Sequence, residues 1–193
     1  GIDSLIYFLF RRRTVFLLVA PLVLIGFARP TPRHVLMGVP FIVAGAVIRL
    51  WAAGYLNKLG ELVTAGPFAL CRNPLYMGSF LTSIGYLVMC NRPGLWAPGI
   101  ALFWLFHGGA VAYEEKLLHD KFGSAYDTYR RTVPRFVPIP RGLSGNGRFT
   151  VRQLVLNNEY QGVAGALLVV GLMLLKARSS NLFPLRWLVM LMP

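Results

Sequence analysis

Three ionisable residues lie within or beside long apolar runs, where an unpaired charge is costly. Arg49 lies near the end of one run, where it either packs between helices or holds a carboxylate, with Glu61 or a ligand as its partner. His107 and Glu114 lie seven residues apart in another run, a spacing that returns both to nearly one helix face. They can therefore line one cavity, although a histidine in such a run can equally bind a backbone carbonyl.

Two separated blocks hold the other residues with chemical potential. Residues 62–78 read LVTAGPFALCRNPLYMG, and residues 113–136 contain the pair Glu114-Glu115 and the ending VPRF. Taken alone, the Gly-Pro and Asn-Pro steps make a structured turn that leads into a helix. The acidic pair alone suits a helix N-terminus, and Tyr126 and Tyr129 alone suit the buried face of an amphipathic helix. The two blocks taken together, in this order, are a more specific pattern than any of these motifs alone.

The elements that must position these residues are membrane helices. Of the 193 residues, 55% are hydrophobic and 14% are charged, and the mean hydropathy of +0.56 is too high for an ordinary soluble domain. Apolar runs of about 20 residues match a hydrocarbon core about 30 Å thick. Such runs lie at about residues 14–28, 35–56, 75–90, 95–113 and 162–175. The sequence therefore predicts an all-α, polytopic membrane protein with about five transmembrane helices in one domain, residues 1–193.

The net charge of +13 does not indicate nucleic-acid binding. Basic residues lie at the ends of the apolar runs and in one connecting stretch, without a basic helix interleaved with aromatic residues. Under the positive-inside rule these basic ends, such as Arg11 to Arg13, face the cytoplasm. We expect an integral protein of a prokaryotic plasma membrane, in contact with membrane lipids and with its site on the cytoplasmic face.

The connecting stretch between the fourth and fifth runs is expected to begin as a cytoplasmic amphipathic helix. Leu118, Phe122, Tyr126 and Tyr129 follow a helical spacing, and the helix should end before Pro134. The last apolar segment, residues 182–193, is too short to cross a bilayer and predicts an interfacial or half-inserted helix.

Cys71 and Cys90 lie far apart, without a CxxC motif or a Cys/His cluster. This pattern predicts two free thiols and no metal site.

The two blocks resemble the isoprenylcysteine carboxyl methyltransferase family and its bacterial phospholipid-methyltransferase-like relatives. The family pattern reads approximately LVT-x-GPY-x4-RHP-x-Y-x-G, followed by EE-x2-L-x3-FG-x2-Y-x2-Y-x3-VPR. The resemblance covers about residues 49–138, the expected catalytic core, and leaves about 148–193 as an extension. Two positions depart from it, because Phe68 stands where the family usually has Tyr and Asn73 where it usually has His.

This resemblance implies methyl transfer from S-adenosylmethionine, with S-adenosylhomocysteine as product. The implied acceptor is lipophilic, either the carboxylate of a prenylated or lipid-like molecule or a lipid amine. The implied catalytic residues are Arg135, Glu115 and Arg49. The implied cofactor-binding residues are Gly66, Pro67, Arg72, Asn73, Pro74, Tyr76, Gly78, Glu114, Glu115, Tyr126 and Tyr129. Among them, Arg72 suits the carboxylate of the cofactor, an acidic residue its ammonium group, and tyrosine faces its cationic parts.

Two other functions fit parts of this pattern. One is an NADPH-dependent membrane reductase of the sterol-reductase type, whose relatives share an Arg-His-Pro turn but are usually longer than 193 residues. The other is a non-catalytic membrane protein that keeps the fold, an alternative supported by Asn73 at the usual histidine position.

Overall fold

A computed structural model describes residues 19–57, 60–140 and 142–182, and the regular structure within these ranges is helical. The described part begins in a helix, residues 19–27, which we label α1. The later helices are α2 Pro32–Tyr55, α3 Pro67–Leu70, α4 Pro74–Cys90, α5 Trp96–Phe122, α6 Ser124–Thr132, α7 Val151–Leu156 and α8 Glu159–Leu182. A short 3-10 turn, Pro93–Leu95, joins α4 to α5.

The polytopic membrane fold predicted from the sequence is confirmed. In the described part of the chain, α2, α5 with its preceding turn, and α8 are long and apolar enough to cross a membrane, and α4 is a shorter apolar helix. These four helices correspond to the predicted runs at 35–56, 75–90, 95–113 and 162–175. The predicted first run lies partly outside the described residues, and the predicted C-terminal helix lies outside them beyond Leu182.

Four glycines allow α2 and α4 to pack with their backbones in close approach. A Cβ added to Gly45 would lie 2.5 Å from the carbonyl oxygen of Gly78, and one added to Gly78 would lie 2.7 Å from that of Gly45. Gly38 and Gly85 meet in the same way, with Cβ-to-carbonyl distances of 2.6 and 2.9 Å. Close approach of this kind strengthens the van der Waals contacts that associate helices in lipid. We call these four residues the glycine seam.

Helix α8 belongs to the same core, although it comes from the C-terminal extension. Its buried residues join a cluster made of Ala28, Val35, Ile42, Met89, Cys90, Ala166, Val169, Met173 and Ala177. Towards the C-terminal end of α8, the Lys176 ammonium donates to the carbonyl oxygens of Ile25 and Gly26, at 2.5 and 3.0 Å. The extension is therefore packed on the helices of the expected core.

The prediction of one continuous amphipathic helix after the fourth run is wrong, because the chain forms two helices there. Gly123 has φ 51° and ψ −123°, a backbone conformation that favours glycine, and it separates α5 from α6. The predicted apolar face still assembles across this break, in a cluster of Leu62, Leu118, Phe122, Tyr126, Tyr129 and Val133. Helix α6 ends at Thr132, before Pro134 as predicted.

Candidate active site

The loop that leads into α4 has a backbone shaped by three of the predicted site residues. Gly66 adopts φ 59°, and a Cβ there would lie 2.6 Å from the Tyr55 ring, so a larger residue does not fit. Pro67 and Pro74 begin α3 and α4 at the first helical position, where the missing N–H leaves no bond unmade. These three residues therefore fix the path of the loop.

The loop is tied to the chain that follows α6. The backbone N–H of Arg72 donates to the carbonyl oxygen of Pro134 at 2.8 Å. The Tyr129 hydroxyl donates to the carbonyl oxygen of Phe68 at 2.8 Å. Burial raises the pKa of Tyr129, so this hydroxyl stays a neutral donor at physiological pH. Its bond to the loop gives Tyr129 a clear role in holding the site together.

Glu115 is the buried centre of a group of polar side chains that reaches the surface at Arg135. Its Oε2 accepts from Arg135, from Nη2 at 2.5 Å and from Nε at 3.0 Å. Its Oε1 accepts from Asn73 Nδ2 at 3.1 Å and lies 3.5 Å from Arg72 Nη2. We call Arg72, Asn73, Glu115 and Arg135 the Glu115 cluster. It unites residues from both sequence blocks, since Asn73 and Glu115 lie 42 positions apart in the sequence.

Asn73 links the two sides of this cluster. Its side-chain amide donates to Glu115 and also to the carbonyl oxygen of Arg135, at 3.2 Å. The residue that departs from the family pattern is thus buried, and its side-chain nitrogen donates two hydrogen bonds within the cluster. The departure leaves the cluster assembled.

The cluster has one positive charge in excess, because Arg72 and Arg135 carry two and Glu115 carries one negative charge. Within the described residues, Nε and Nη1 of Arg72 and the hydroxyl of Tyr126 are buried without a hydrogen-bond partner. The Arg72 side chain is only 10% exposed and Tyr126 only 1%. Buried donors without acceptors are costly, so these groups suit the acceptor oxygens of a ligand. The arrangement fits an anionic group such as a carboxylate.

The protonation states favour donation at this place. Burial, and to a lesser degree the charge of Glu115, raise the pKa of Tyr126. Hydrogen bonding to Glu115 raises the pKa of Arg135. Tyr126 and Arg135 therefore stay protonated at physiological pH, so the hydroxyl of Tyr126 can donate and the guanidinium of Arg135 keeps its positive charge.

Arg49 and Gly78 lie at the interface of α2 and α4 and outside the Glu115 cluster. Arg49 donates from Nε and Nη2 to the carboxylate of Glu159, at 3.0 and 2.8 Å, so the partner suggested from sequence, Glu61, is wrong. Helix α8 brings Glu159 to this place, whereas Glu61 is exposed. A Cβ on Gly78 would lie 2.7 Å from Cγ of Arg49, which gives Gly78 a packing role.

His107 and Tyr76 belong to a run of aromatic rings between α4 and α5. His107 is buried, its Nδ1 lies 3.1 Å from the carbonyl oxygen of Phe103, and its ring stacks on Phe103 at 4.1 Å. Tyr76 meets the His107 ring edge-on at 5.8 Å. The run continues through Phe80, Trp104 and Phe136. The backbone-carbonyl interpretation of His107 therefore fits the geometry.

Glu114 precedes Glu115 on α5 and is half-buried. Successive residues of a helix point about 100° apart, so Glu114 faces a different direction from Glu115. It has contacts of its own.

The sequence interpretation missed Glu159, Ser79 and Asn157, which hold helices around the site. Glu159 could have been noticed in the sequence, because it is one of only seven acidic residues and lies just before the predicted run at 162–175. Ser79 and Asn157 could not, since isolated polar residues near helix ends are common.

Cys71 provides a test of this buried loop. Both cysteines are free and buried, and burial raises the pKa of Cys71 to about 11. At pH 8 only about one thiol in a thousand would be ionised, so we expect the folded protein in detergent to react very slowly with Ellman's reagent. A Cys90→Ala variant isolates Cys71, and unfolding in SDS should release one reactive thiol. Rapid reaction of the folded variant would contradict the buried loop.

Apolar helices around a buried charge cluster define a polytopic membrane protein whose polar site lies where a loop enters α4. Residues 34–125 match the phospholipid methyltransferase family. With the relatives described next, this match supports the resemblance to membrane methyltransferases of the isoprenylcysteine carboxyl methyltransferase and phospholipid methyltransferase-like kind. The matched range contains Arg72, Asn73 and Glu115 but not Arg135 or α8.

Curated relatives match the chain over part of its length. It is 35% identical over 104 residues to the nickel-cobalt-cadmium resistance protein NccN of Alcaligenes xylosoxydans xylosoxydans, covering 53% of this chain and 48% of that protein. It is 30% identical over 123 residues to the cobalt-zinc-cadmium resistance protein CzcN of Cupriavidus metallidurans, covering 63% and 56%. It is 37% identical over 82 residues to the protein-S-isoprenylcysteine O-methyltransferase of Mus musculus, covering 42% and 29%.

The chain thus spans about half the length of the first two relatives and less of the third. No solved structure matches it.

Proposed function

We propose that this protein transfers a methyl group from S-adenosylmethionine to a lipophilic acceptor at the cytoplasmic face of the membrane. The observation that carries the proposal is the buried guanidinium of Arg72, whose nitrogens Nε and Nη1 have no hydrogen-bond partner among the described residues. In a family of membrane methyltransferases, an anion site of this kind suits a methyl donor that bears a carboxylate.

The residues present fit the donor. Nε and Nη1 of Arg72 would hold its carboxylate, and the Tyr126 hydroxyl would add a third hydrogen bond. Glu115 keeps Arg72 in place, because its two oxygens are engaged by Arg72, Asn73 and Arg135. When bound, the donor supplies a methyl group on a positively charged sulfur.

The protein contributes orientation and a site with little water. Methyl transfer is an in-line displacement, so holding both reactants in line can supply much of the rate. A carboxylate acceptor is already a nucleophile at pH 7 and needs no base. Arg135 suits such an acceptor, because its side chain remains 49% exposed while it binds Glu115. The half-exposed guanidinium of Arg135 favours a carboxylate over an amine.

An apolar tail of the acceptor has a surface beside Arg135. Phe136 follows Arg135 and meets the Trp104 ring edge-on at 4.9 Å. Trp104 itself is exposed on the side of α5. An amphiphile could therefore bind Arg135 with its head and the aromatic rings with its tail.

Two relatives carry names that refer to metal resistance. In residues 19–57, 60–140 and 142–182, no group of three or more His, Cys, Asp and Glu side chains is placed to hold a metal ion.

A binding titration separates the proposed function from its alternatives. Purified protein in detergent should bind S-adenosylmethionine and S-adenosylhomocysteine but not NADPH. Binding of NADPH alone would favour a reductase, and binding of none of the three would favour a non-catalytic protein. Transfer of a labelled methyl group into extracted host lipids would then identify the acceptor.

Replacement of Arg72 tests the anion site directly. We expect Arg72→Gln to weaken binding of S-adenosylhomocysteine by about 10-fold to 100-fold, because a hydrogen bond to a charged group contributes about 1.5–3 kcal/mol. Isothermal titration calorimetry measures this loss. Arg130→Gln is a matched control, since Arg130 is exposed on α6. Equal affinities of both variants would contradict the assignment of Arg72.

A further inference from the structure

Arg49 joins three helices at one point. From α2 it donates to both oxygens of Glu159 at the start of α8, as described above. Its Nη1 donates to Ser79 Oγ at 2.5 Å and to the carbonyl oxygen of Leu75 at 3.4 Å, both on α4. Since α2 and α8 are apolar helices of membrane-spanning length, this guanidinium requires a charged partner.

The segment before Glu159 is hydrogen-bonded to the C-terminal end of α2, and these bonds fix the position of the Glu159 carboxylate. The side-chain amide of Asn157 donates to the carbonyl oxygens of Ala53 and Leu56, at 2.9 and 2.8 Å. The N–H of Thr150 donates to the carbonyl oxygen of Gly54 at 2.8 Å. Carbonyls at a helix end lack intrahelical partners, and this segment supplies them. Both Arg49, which belongs to α2, and the segment that carries Glu159 are therefore held at the same end of α2.

The other end of the same network reaches the Glu115 cluster. Leu75 and Ser79 lie in the first two turns of α4, directly after Arg72 and Asn73. The N–H of Met77 donates back to the carbonyl oxygen of Asn73 at 3.1 Å, so the loop and the first turn move together. A shift of Arg49 would therefore be transmitted to Arg72 and Asn73.

We propose that Glu159 is a positioning residue for the active site. By holding Arg49 it fixes the first turn of α4, and through that turn it holds Arg72 and Asn73 against Glu115. The activity expected below rests on the proposed methyl transfer, whereas the positioning itself does not. It follows that α8, which lies outside the matched family range, is needed for turnover.

The test is Glu159→Gln, which keeps the shape of the side chain and removes its charge. We expect kcat to fall about tenfold, because a small displacement of a reacting pair lowers the rate steeply. The dissociation constant of S-adenosylhomocysteine should rise in parallel. Amide hydrogen exchange in a peptide covering residues 72–79 should accelerate.

Lys176→Met is the matched control, because it loosens the other end of α8 without touching Arg49. It should leave turnover and exchange of residues 72–79 close to wild type. The proposal is overturned if Glu159→Gln shows the same exchange and kcat as Lys176→Met. Slow, wild-type-like exchange in Glu159→Gln alone also overturns it.

Two further measurements cover the cases in which the variant does not fold or the wild-type protein shows no methyl transfer. If Glu159→Gln does not fold, the double variant Arg49→Met/Glu159→Met removes both charges together, a change that buried pairs often tolerate. It should fold and show the same fast exchange, and wild-type exchange would overturn the proposal. If the wild-type protein transfers no methyl group, the proposed function fails, and the exchange measurement still decides whether Glu159 positions α4.

Discussion

Glu115→Gln is expected to lower methyl-transfer turnover by about a hundredfold or more. The carboxylate accepts from Arg135 and Asn73 and pairs with Arg72, so its charge is shared by every member of the cluster. Glutamine has nearly the same shape but is neutral, which leaves two buried or half-buried cations facing each other. Removing one partner from a buried ion pair costs about 3–5 kcal/mol. Labelled methyl transfer in vesicles, with thermal unfolding measured in parallel, checks the result.

Glu61→Gln is the control for this prediction, since it removes an exposed acid outside the cluster. Arg135→Ala should act in the same direction as Glu115→Gln, because it removes the cation that binds Glu115 most closely. If Glu115→Gln and Arg135→Ala both turn over as fast as Glu61→Gln while folded, the Glu115 cluster is not the active site.

The family resemblance names the members of the cluster in the sequence, and short-range rules explain where its parts lie. Asn73-Pro74 starts a helix, so Arg72 and Asn73 must lie at a helix end. Glu115 and Arg135 lie at set distances from Gly123 and Pro134, close to where α5 and α6 end. The residues that the resemblance implies in the two blocks are therefore brought within 3.5 Å of one carboxylate.

The Arg49–Glu159 pair cannot be found in this way. The two residues lie 110 positions apart, and Glu159 lies in a helix outside the resemblance. Apolar runs indicate that helices exist, but the pairing of helices depends on how surfaces fit in three dimensions. Glu61 is the nearer acid in sequence, and distance along the chain is a poor guide to such a contact. Gly78 illustrates the same limit, since its place in a motif says nothing about which neighbour it faces.

The glycine seam leads to the second large effect, a loss of stability in Gly45→Ala and Gly78→Ala. A Cβ on Gly45 would collide with Thr82 Oγ1 and would lie 2.5 Å from the backbone of Gly78. Backbone atoms cannot move aside cheaply, so α2 and α4 must separate, and overpacking of this kind costs about 1–3 kcal/mol. For a chain of this size that corresponds to a melting temperature lower by about 3–10 °C. Differential scanning fluorimetry in detergent measures it.

Gly165→Ala separates this packing effect from the general effect of adding a methyl group to a helix. Gly165 lies in α8, and a Cβ added there would have no atom of the described residues within 4 Å beyond its own helix backbone and chain neighbours. Alanine should therefore keep stability or raise it by up to about 1 kcal/mol through helix propensity. Gly45→Ala and Gly78→Ala should lose similar stability, because a Cβ on either glycine would meet the carbonyl oxygen of the other.

A Gly78→Ala variant that melts like wild type but binds S-adenosylhomocysteine weakly would instead show that Gly78 contacts the ligand. The seam joins α2 to the helix that begins directly after Arg72 and Asn73. We therefore expect Gly45→Ala on α2 and Gly78→Ala on α4 to lower the melting temperature equally only if the glycine seam holds α4, and with it Arg72, in place.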